Sequence, residues 1–253
     1  MMTGLRERLH DGKPFLFTWL SMAGAQMAGQ IARLPLDGVC LDMQHGMMGF
    51  GDAVPMIAAV ANVGKTPIVR VLWNDPGLVG QVLDAGASIV IAPMINSVAQ
   101  AQALVKAAKY PPMGQRSWGG YTMVQVSKMT PGEYLKMANS TTMVFAMIET
   151  REALDLVDEI AAVPGLDGLF VGPSDLSIAL SNGAGINKTA PEVLDAMDNV
   201  AAACKRNGLV PGAFAGTPSV MTEYIERGFN FLAAVVDVDL LRQGAEAALK
   251  GVK

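Results

Sequence analysis

Short apolar runs rich in β-branched and aromatic residues alternate along the chain with longer segments whose apolar positions recur every three or four residues. The short runs predict strands at Phe15–Leu20, Gly38–Asp42, Pro67–Val71, Ser88–Ala92, Thr142–Ile148, Gly168–Val171, Val210–Ala213 and Phe231–Val235. The helical spacing predicts helices at Asp52–Asn62, Pro76–Ala85, Ser97–Ala108, Thr150–Ala161, Pro191–Asn207, Thr217–Arg227 and Asp239–Leu249. Asp75-Pro76 and Thr217-Pro218 each set a capping side chain before a proline at the first helical position. Such alternation builds βα units on a parallel sheet. Eight strands in 253 residues match an α/β fold of the (β/α)8 TIM-barrel class, one domain spanning residues 1–253.

No linker, low-complexity tract or fixed-period repeat interrupts the alternation. The longest irregular stretch, Tyr110–Pro131, is rich in Gly, Pro, Met and Ser. A loop of that length in a compact domain is more often functional than decorative.

Composition narrows the setting. The net charge of −4, from 19 Lys and Arg against 23 Asp and Glu, is spread without long runs, which argues against nucleic-acid and anionic-membrane partners. The first ten residues lack an apolar stretch of signal-peptide length, and no run approaches the ~18–20 residues of a membrane span. Neither secretion nor membrane insertion is expected. Cys40 and Cys204 are too few for a disulfide framework or a zinc cluster and fit a reducing cytoplasm. With 51% apolar residues, 17 methionines and a mean hydropathy of +0.32, the chain is greasy for a monomer, and an oligomer is expected.

In a barrel the loops after the strands' C-terminal ends build the active site. The second strand runs into Asp42-Met43-Gln44-His45-Gly46, the third ends at Arg70, the fifth at Glu149, and the sixth continues into Gly172-Pro173-Ser174-Asp175. A charge ending an apolar strand must be paired, bind a ligand or reach water. Any one of these alone also reads as a solvent-facing strand end; together on one rim they point to a site. Glu149 and Asp175 follow consecutive strands, about 4.8 Å apart, so their carboxylates can share one cation. Hard oxygen donors without Cys or clustered His favour Mg²⁺ or Mn²⁺. An acid/base carboxylate pair of the glycosidase kind is the competing reading, but it leaves the nearby Arg and His without a part. A divalent ion with open positions can chelate a 2-oxo acid, with Arg70 stabilising the charge that develops on the keto oxygen. His45, the only histidine inside the predicted fold, suits acid/base work at neutral pH. His10 reads as a surface residue.

A Schiff-base aldolase needs a buried lysine nucleophile, and none of the ten lysines lies within or at the C-terminal end of a predicted strand. Serine nucleophile elbows and Walker loops are absent too. Gly46–Gly51 has the wrong spacing, and Pro211–Gly216, which can hold a phosphate, reads first as a plain turn.

The stretches Leu41–Gly46, Pro67–Val71, Leu83–Ala87, Ile91–Met94, Tyr110–Ser117, Met147–Ala153 and Phe170–Leu176 resemble the class II pyruvate aldolases. That family includes 4-hydroxy-2-oxoheptanedioate aldolase, 2-keto-3-deoxy-sugar-acid aldolases and macrophomate synthase, and is related to citrate lyase β subunits. The motifs run in order from about Phe15 to Leu249. The resemblance implies that Glu149 and Asp175 bind a divalent metal (Mg²⁺, Mn²⁺ or Co²⁺), that Arg70 contacts the oxo acid, and that His45 is the acid/base element. It further implies that Asp84 orients this histidine, that Asp42 joins the same network, and that Gly172-Pro173-Ser174 offers backbone amides to the substrate carboxylate. Resembling members are hexamers, so a homohexamer (trimer of dimers) is implied.

Two departures stand out. Gln44 and Met147 occupy positions where many members carry Glu and Gln, which removes a polar contact near the oxo acid. Members with the Asp-Met-Gln-His form resemble hydroxy-ketoacid aldolases that accept pyruvate or hydroxypyruvate with varied aldehydes. Trp118 and Tyr121 in the long loop are candidates for shaping the aldehyde pocket, or ordinary packing aromatics. The expected function is a metal-dependent aldolase joining and separating a small-molecule 2-oxo acid and an aldehyde. The rivals are an acyl-CoA thioester lyase or oxaloacetate-type decarboxylase with the same enolate chemistry, and a non-catalytic barrel that binds oxo acids.

Overall fold

The computed structural model describes residues 4–73 and 75–252; residues 1–3 of the N-terminal segment read above lie outside them. Strands β1 (Phe15–Leu20), β2 (Gly38–Asp42), β3 (Thr66–Arg70), β4 (Ile89–Ala92), β5 (Met143–Ile148), β6 (Gly168–Val171), β7 (Val210–Phe214) and β8 (Phe231–Val236) close into a barrel in chain order. Every neighbouring pair is parallel, including β1 with β8. This is the (β/α)8 architecture that the alternation predicts, with each strand bound within one residue of its expected place.

The helices are α1 (Leu5–His10), α2 (Ala25–Ile31), α3 (Phe50–Asn62), α4 (Pro76–Asp84), α5 (Val98–Ala108), α6 (Tyr121–Ser127), α7 (Pro131–Thr141), α8 (Arg151–Asp155), α9 (Val157–Ala161), α10 (Pro173–Leu180), α11 (Pro191–Asn207), α12 (Pro218–Glu226) and α13 (Asp237–Ala248). The single helix expected at Thr150–Ala161 is broken at Leu156, whose φ of −108° and ψ of 16° leave the helical well. The long stretch after Tyr110 is not irregular throughout. It contains α6, and α7 starts on a reciprocal cap in which Glu133 N–H donates to Thr130 Oγ1 and Thr130 N–H donates to the Glu133 carboxylate. This segment joins α5 to β5. Helices return antiparallel to the strands, so it lies at the end of the barrel where the strands begin, opposite the rim that carries the charged residues.

Side chains alternate across each strand. Phe17, Cys40, Ile68, Phe145, Phe170 and Phe231 fill the barrel interior with their neighbours two residues away, while Val39, Leu41, Val69, Val144 and Leu169 pack beneath the helices. Phe231 stacks on Phe17 and Phe145 with ring centres 4.5 and 4.6 Å apart. Gly168 makes room for this: a Cβ there would lie 2.2 Å from the Phe145 ring. The lower mouth is shut by Leu9 of α1 and by Lys109, whose Nζ donates to Thr142 O at 2.6 Å and pairs with Asp167 at 2.8 Å.

Candidate active site

The same two-residue period that fills the interior also builds the site. One step beyond Cys40 is Asp42, beyond Ile68 is Arg70, beyond Phe17 is Trp19, beyond Met147 is Glu149 and beyond Phe170 is Gly172. The top inward layer is therefore polar where the layers beneath it are apolar. A cleft of about 300 Å³ opens over this layer, lined by Trp19, Ser21, His45, Arg70, Met147, Phe170, Gly172, Pro173, Ser174, Asp175, Phe214 and Val236.

Asp42 and Arg70 occupy paired positions in the β2–β3 register. The guanidinium donates from Nε to Oδ1 at 2.8 Å and from Nη2 to Oδ2 at 2.7 Å, both groups buried. Trp19 Nε1 donates to the same carboxylate at 3.1 Å, and its ring lies 4.7 Å beneath the guanidinium carbon. Burial alone would raise the Asp42 carboxyl; the Arg70 guanidinium, helped by Trp19 and the His45 backbone N–H, outweighs it and holds the pKa below the ordinary value. Asp42 Oδ1 also accepts from the backbone N–H groups of Gln44 and His45 at 3.1 and 3.2 Å, which fixes the turn that carries the exposed His45 side chain. Gln44 Oε1 is buried without a partner among the described residues.

Glu149 is buried; one carboxylate oxygen accepts from Met94 N–H at 2.7 Å. Desolvation pushes its pKa up to about 7, with Asp175 raising it further while Met94 N–H and Arg70 oppose. Asp175 is exposed in the first turn of α10, which begins in the cleft wall at Pro173. The first N–H groups of a helix have no intrahelical partner and suit an anion; Pro173 carries no N–H, so in this first turn such donors come from Ser174 and Asp175. A Cβ at Gly172 would lie 2.5 Å from Glu149 Oε2, so the glycine keeps that oxygen clear. A cleared carboxylate oxygen, a second acidic group raising its pKa and an all-oxygen donor set fit a hard divalent cation. Among the described residues no group of three or more His, Cys, Asp and Glu side chains converges on one point, so protein ligation would rest on these two carboxylates.

Three candidate residues lie elsewhere within the chain. Asp84 ends α4 at the lower end of the barrel, where it pairs with the buried Arg116 at 2.6 Å instead of meeting His45. Trp118 packs between Tyr110 and Tyr134, with ring centres 5.6 and 6.0 Å away, and Tyr121 is exposed beside it in sequence. Neither lines the cleft, because a helix-to-strand connection cannot reach the opposite rim of its own barrel. The aromatic walls are instead Trp19, Phe170 and Phe214, of which Trp19 and Phe214 end β1 and β7 in the inward phase. That phase was readable in the sequence, but strand ends searched only for ionisable groups pass over aromatic ones. Lys188, from the loop between α10 and α11, comes to lie over Phe214, Nζ 4.7 Å from the ring centre.

From residue 16 to residue 244 the chain matches the family model described as HpcH/HpaI aldolase/citrate lyase. It is 38% identical over 248 residues to the hydroxypyruvate/pyruvate aldolase of Rhizorhabdus wittichii, an alignment covering 98% of each chain. It is 34% identical to a 4-hydroxy-2-oxo-heptane-1,7-dioate aldolase of Salmonella typhimurium, covering 98% of this chain and 93% of that one. Among solved structures it superposes with a TM-score of 0.89, at 33% identity and 98% coverage of both chains, on an HpcH/HpaI aldolase/citrate lyase family protein from Burkholderia cenocepacia. The matched span takes in the barrel and every rim residue from Trp19 to Asp175, and the chain belongs to the HpcH/HpaI aldolase/citrate lyase family.

Proposed function

We propose that this protein is a metal-dependent aldolase that reversibly cleaves a 4-hydroxy-2-oxo acid into pyruvate, or hydroxypyruvate, and an aldehyde. The observation that carries this reading is one cleft lined by exposed Asp175, His45 and Arg70 locked by Asp42, with buried Glu149 directly behind its Gly172 wall. The names of the two relatives support the substrate class. Glu149 and Asp175 would hold a divalent cation, Mg²⁺, Mn²⁺ or Co²⁺, that supplies Lewis-acid polarisation of the oxo acid. Arg70 gives Nε and Nη2 to Asp42, and its Nη1, without a partner among the described residues, is left to meet the keto oxygen, where negative charge grows as the bond breaks. The first turn of α10 receives the substrate carboxylate. His45 takes the C4 hydroxyl proton, the C3–C4 electron pair passes into the enolate facing Arg70, and a proton returned to C3 yields pyruvate.

The test is direct. Glu149→Gln, Asp175→Asn or treatment with EDTA abolishes retro-aldol activity, and Mg²⁺, Mn²⁺ or Co²⁺ restores it to the chelated wild type but not to the variants. Full activity in metal-free enzyme overturns the reading.

The working assembly is a homohexamer, a trimer of dimers. Exposed Met47, Leu72 and Trp73 near the rim and Leu241 and Val252 at the C-terminal end support burial between copies. With Asp84 at the far end of its own barrel, an Asp84–His45 interaction can be made only between copies. A cytoplasmic setting fits Cys40 and Cys204, both free and buried; among the described residues no helix is long and apolar enough to cross a membrane.

A further inference from the structure

Lys188 sits on the cleft end of the barrel, in the loop that precedes α11. Its ammonium stands 4.7 Å from the centre of the Phe214 ring. Phe214 is a wall of the cleft and meets Trp19 edge-on at 5.3 Å, so Lys188 is one ring removed from the site. The main chain fixes this position independently of the side chain: Tyr224, itself buried, donates its hydroxyl to the Lys188 carbonyl at 3.0 Å. Other inward-drawn lysines are satisfied, Lys109 by Asp167 and two carbonyls and Lys65 by the Leu36 carbonyl. Lys188 differs. It is half-buried, and among the described residues its Nζ has no hydrogen-bond or ion-pair partner; Asp239, the nearby acid, pairs with Arg242 at 3.1 Å. Burial lowers its pKa and Asp239 offsets this only in part. An ammonium held against a ring at the cleft's edge, half withdrawn from water and open at Nζ, is placed to gain a counter-ion from an arriving anion.

The direction from which an anion arrives follows from the layout of the cleft. Arg70, Glu149, Asp175 and the start of α10 hold the oxo-acid end at β3, β5 and β6. Apart from Ser21 and His45 on the side of β1 and β2, the remaining wall is apolar, with Trp19, Phe170, Phe214 and Val236 its larger side chains. That wall is the part of the cleft left for the aldehyde half, and Lys188 stands on the Phe214 ring at its end. We propose that Lys188 receives an anionic group, carboxylate or phosphate, at the far end of the aldehyde half and thereby sets a preference for acidic aldehydes. This rests on the aldolase reading above and names the substrate class that the same site takes.

The experiment uses the metal-loaded wild type and the Lys188→Met, Lys188→Arg and Lys205→Met variants, the last an exposed lysine on α11. Each condenses pyruvate with propanal (neutral), succinic semialdehyde (carboxylate) and glyceraldehyde 3-phosphate (phosphate), and kcat/KM is read for each. Lys188→Met lowers the ratio of anionic to neutral aldehyde about tenfold, mainly through the KM of the anionic aldehyde. Lys188→Arg retains most of the ratio, and Lys205→Met leaves it unchanged. A fall in one anionic arm alone assigns that source. An unchanged ratio in both arms, or an equal loss on all three aldehydes, overturns the proposal. Deuterium exchange at the pyruvate methyl group, which needs no aldehyde, separates the two readings: exchange with an unchanged ratio defeats Lys188 alone, whereas loss of both exchange and condensation in the wild type defeats the aldolase reading and this inference with it.

Discussion

Arg70 donates to Asp42 through two parallel hydrogen bonds, Nε to Oδ1 at 2.8 Å and Nη2 to Oδ2 at 2.7 Å, between directly paired positions of adjacent strands. The fork fixes the guanidinium plane and leaves Nη1 for substrate. Asp42→Asn sets an amide N–H against a guanidinium N–H and loses that plane. The expected result is a fall of about 100-fold in kcat/KM for the retro-aldol reaction, the size typical of a misaimed transition-state donor. Steady-state kinetics checks it, and a change under threefold would show that the pair serves only the fold.

Gly172 faces Glu149 Oε2 so closely that a Cβ would lie 2.5 Å from it. Gly172→Ala should therefore raise the Mn²⁺ concentration needed for half-maximal activity by about tenfold or more, while far-UV circular dichroism stays that of the wild type. An unchanged metal requirement would mean that the carboxylate oxygen cleared by this glycine takes no part in binding.

The raised Glu149 carboxyl makes stability depend on pH. A group whose folded pKa of about 7 exceeds its ordinary 4.5 holds its proton more tightly in the folded chain. Metal-free protein is then most stable, as far as this group is concerned, below pH 4.5, and loses that stability as pH rises through 7. At 1.36 kcal/mol per unit the loss is about 3 kcal/mol. Thermal melts of chelated wild type from about pH 5 to about pH 8 should fall more steeply than those of Glu149→Gln, and added Mn²⁺ should reverse the difference at the upper end. Parallel curves for the two chelated proteins would remove the argument.

Lys109 and Asp167 close the barrel at the other end, 2.8 Å apart and almost wholly buried, with Asp167 also accepting from Val144 N–H. Lys109→Met leaves the buried Asp167 carboxylate with Arg6 and Val144 N–H as its remaining partners. A cost of about 2–3 kcal/mol is expected from the lost charged hydrogen bond, which for a domain of this size lowers Tm by roughly 2–4 °C per kcal/mol. Scanning calorimetry reads the shift, and residual kcat per folded molecule should match the wild type because the cleft is at the opposite rim.

The rim was legible because one period serves both packing and chemistry. Cys40 to Asp42, Ile68 to Arg70 and Met147 to Glu149 are single inward steps, so the strand-end residues share one layer, with Arg70 in the cleft wall and Asp42 and Glu149 directly behind it. Asp84 and Trp118 were not placed by that logic. Asp84 follows from a family resemblance and Trp118 from its place in a long loop, and neither says which end of the barrel a residue occupies. The break at Leu156 and the helix inside the long loop escaped for a local reason: short helices of five to seven residues draw their stability from the surfaces they cover.

The sequence by itself determined the barrel, the order of its strands and the carboxylate, guanidinium and imidazole groups on its upper rim, since each follows from a period of two or 3.6 residues read along the chain. Only the tertiary structure decided the partners: that Asp42 grips Arg70, that Trp19 and Phe214 form the wall, that Asp84 turns away to Arg116, and that Lys188 leans over Phe214 without a counter-ion. The physical reason is that periodicity assigns a side chain to a face, whereas closure of the sheet and the return paths of its helices assign it a neighbour.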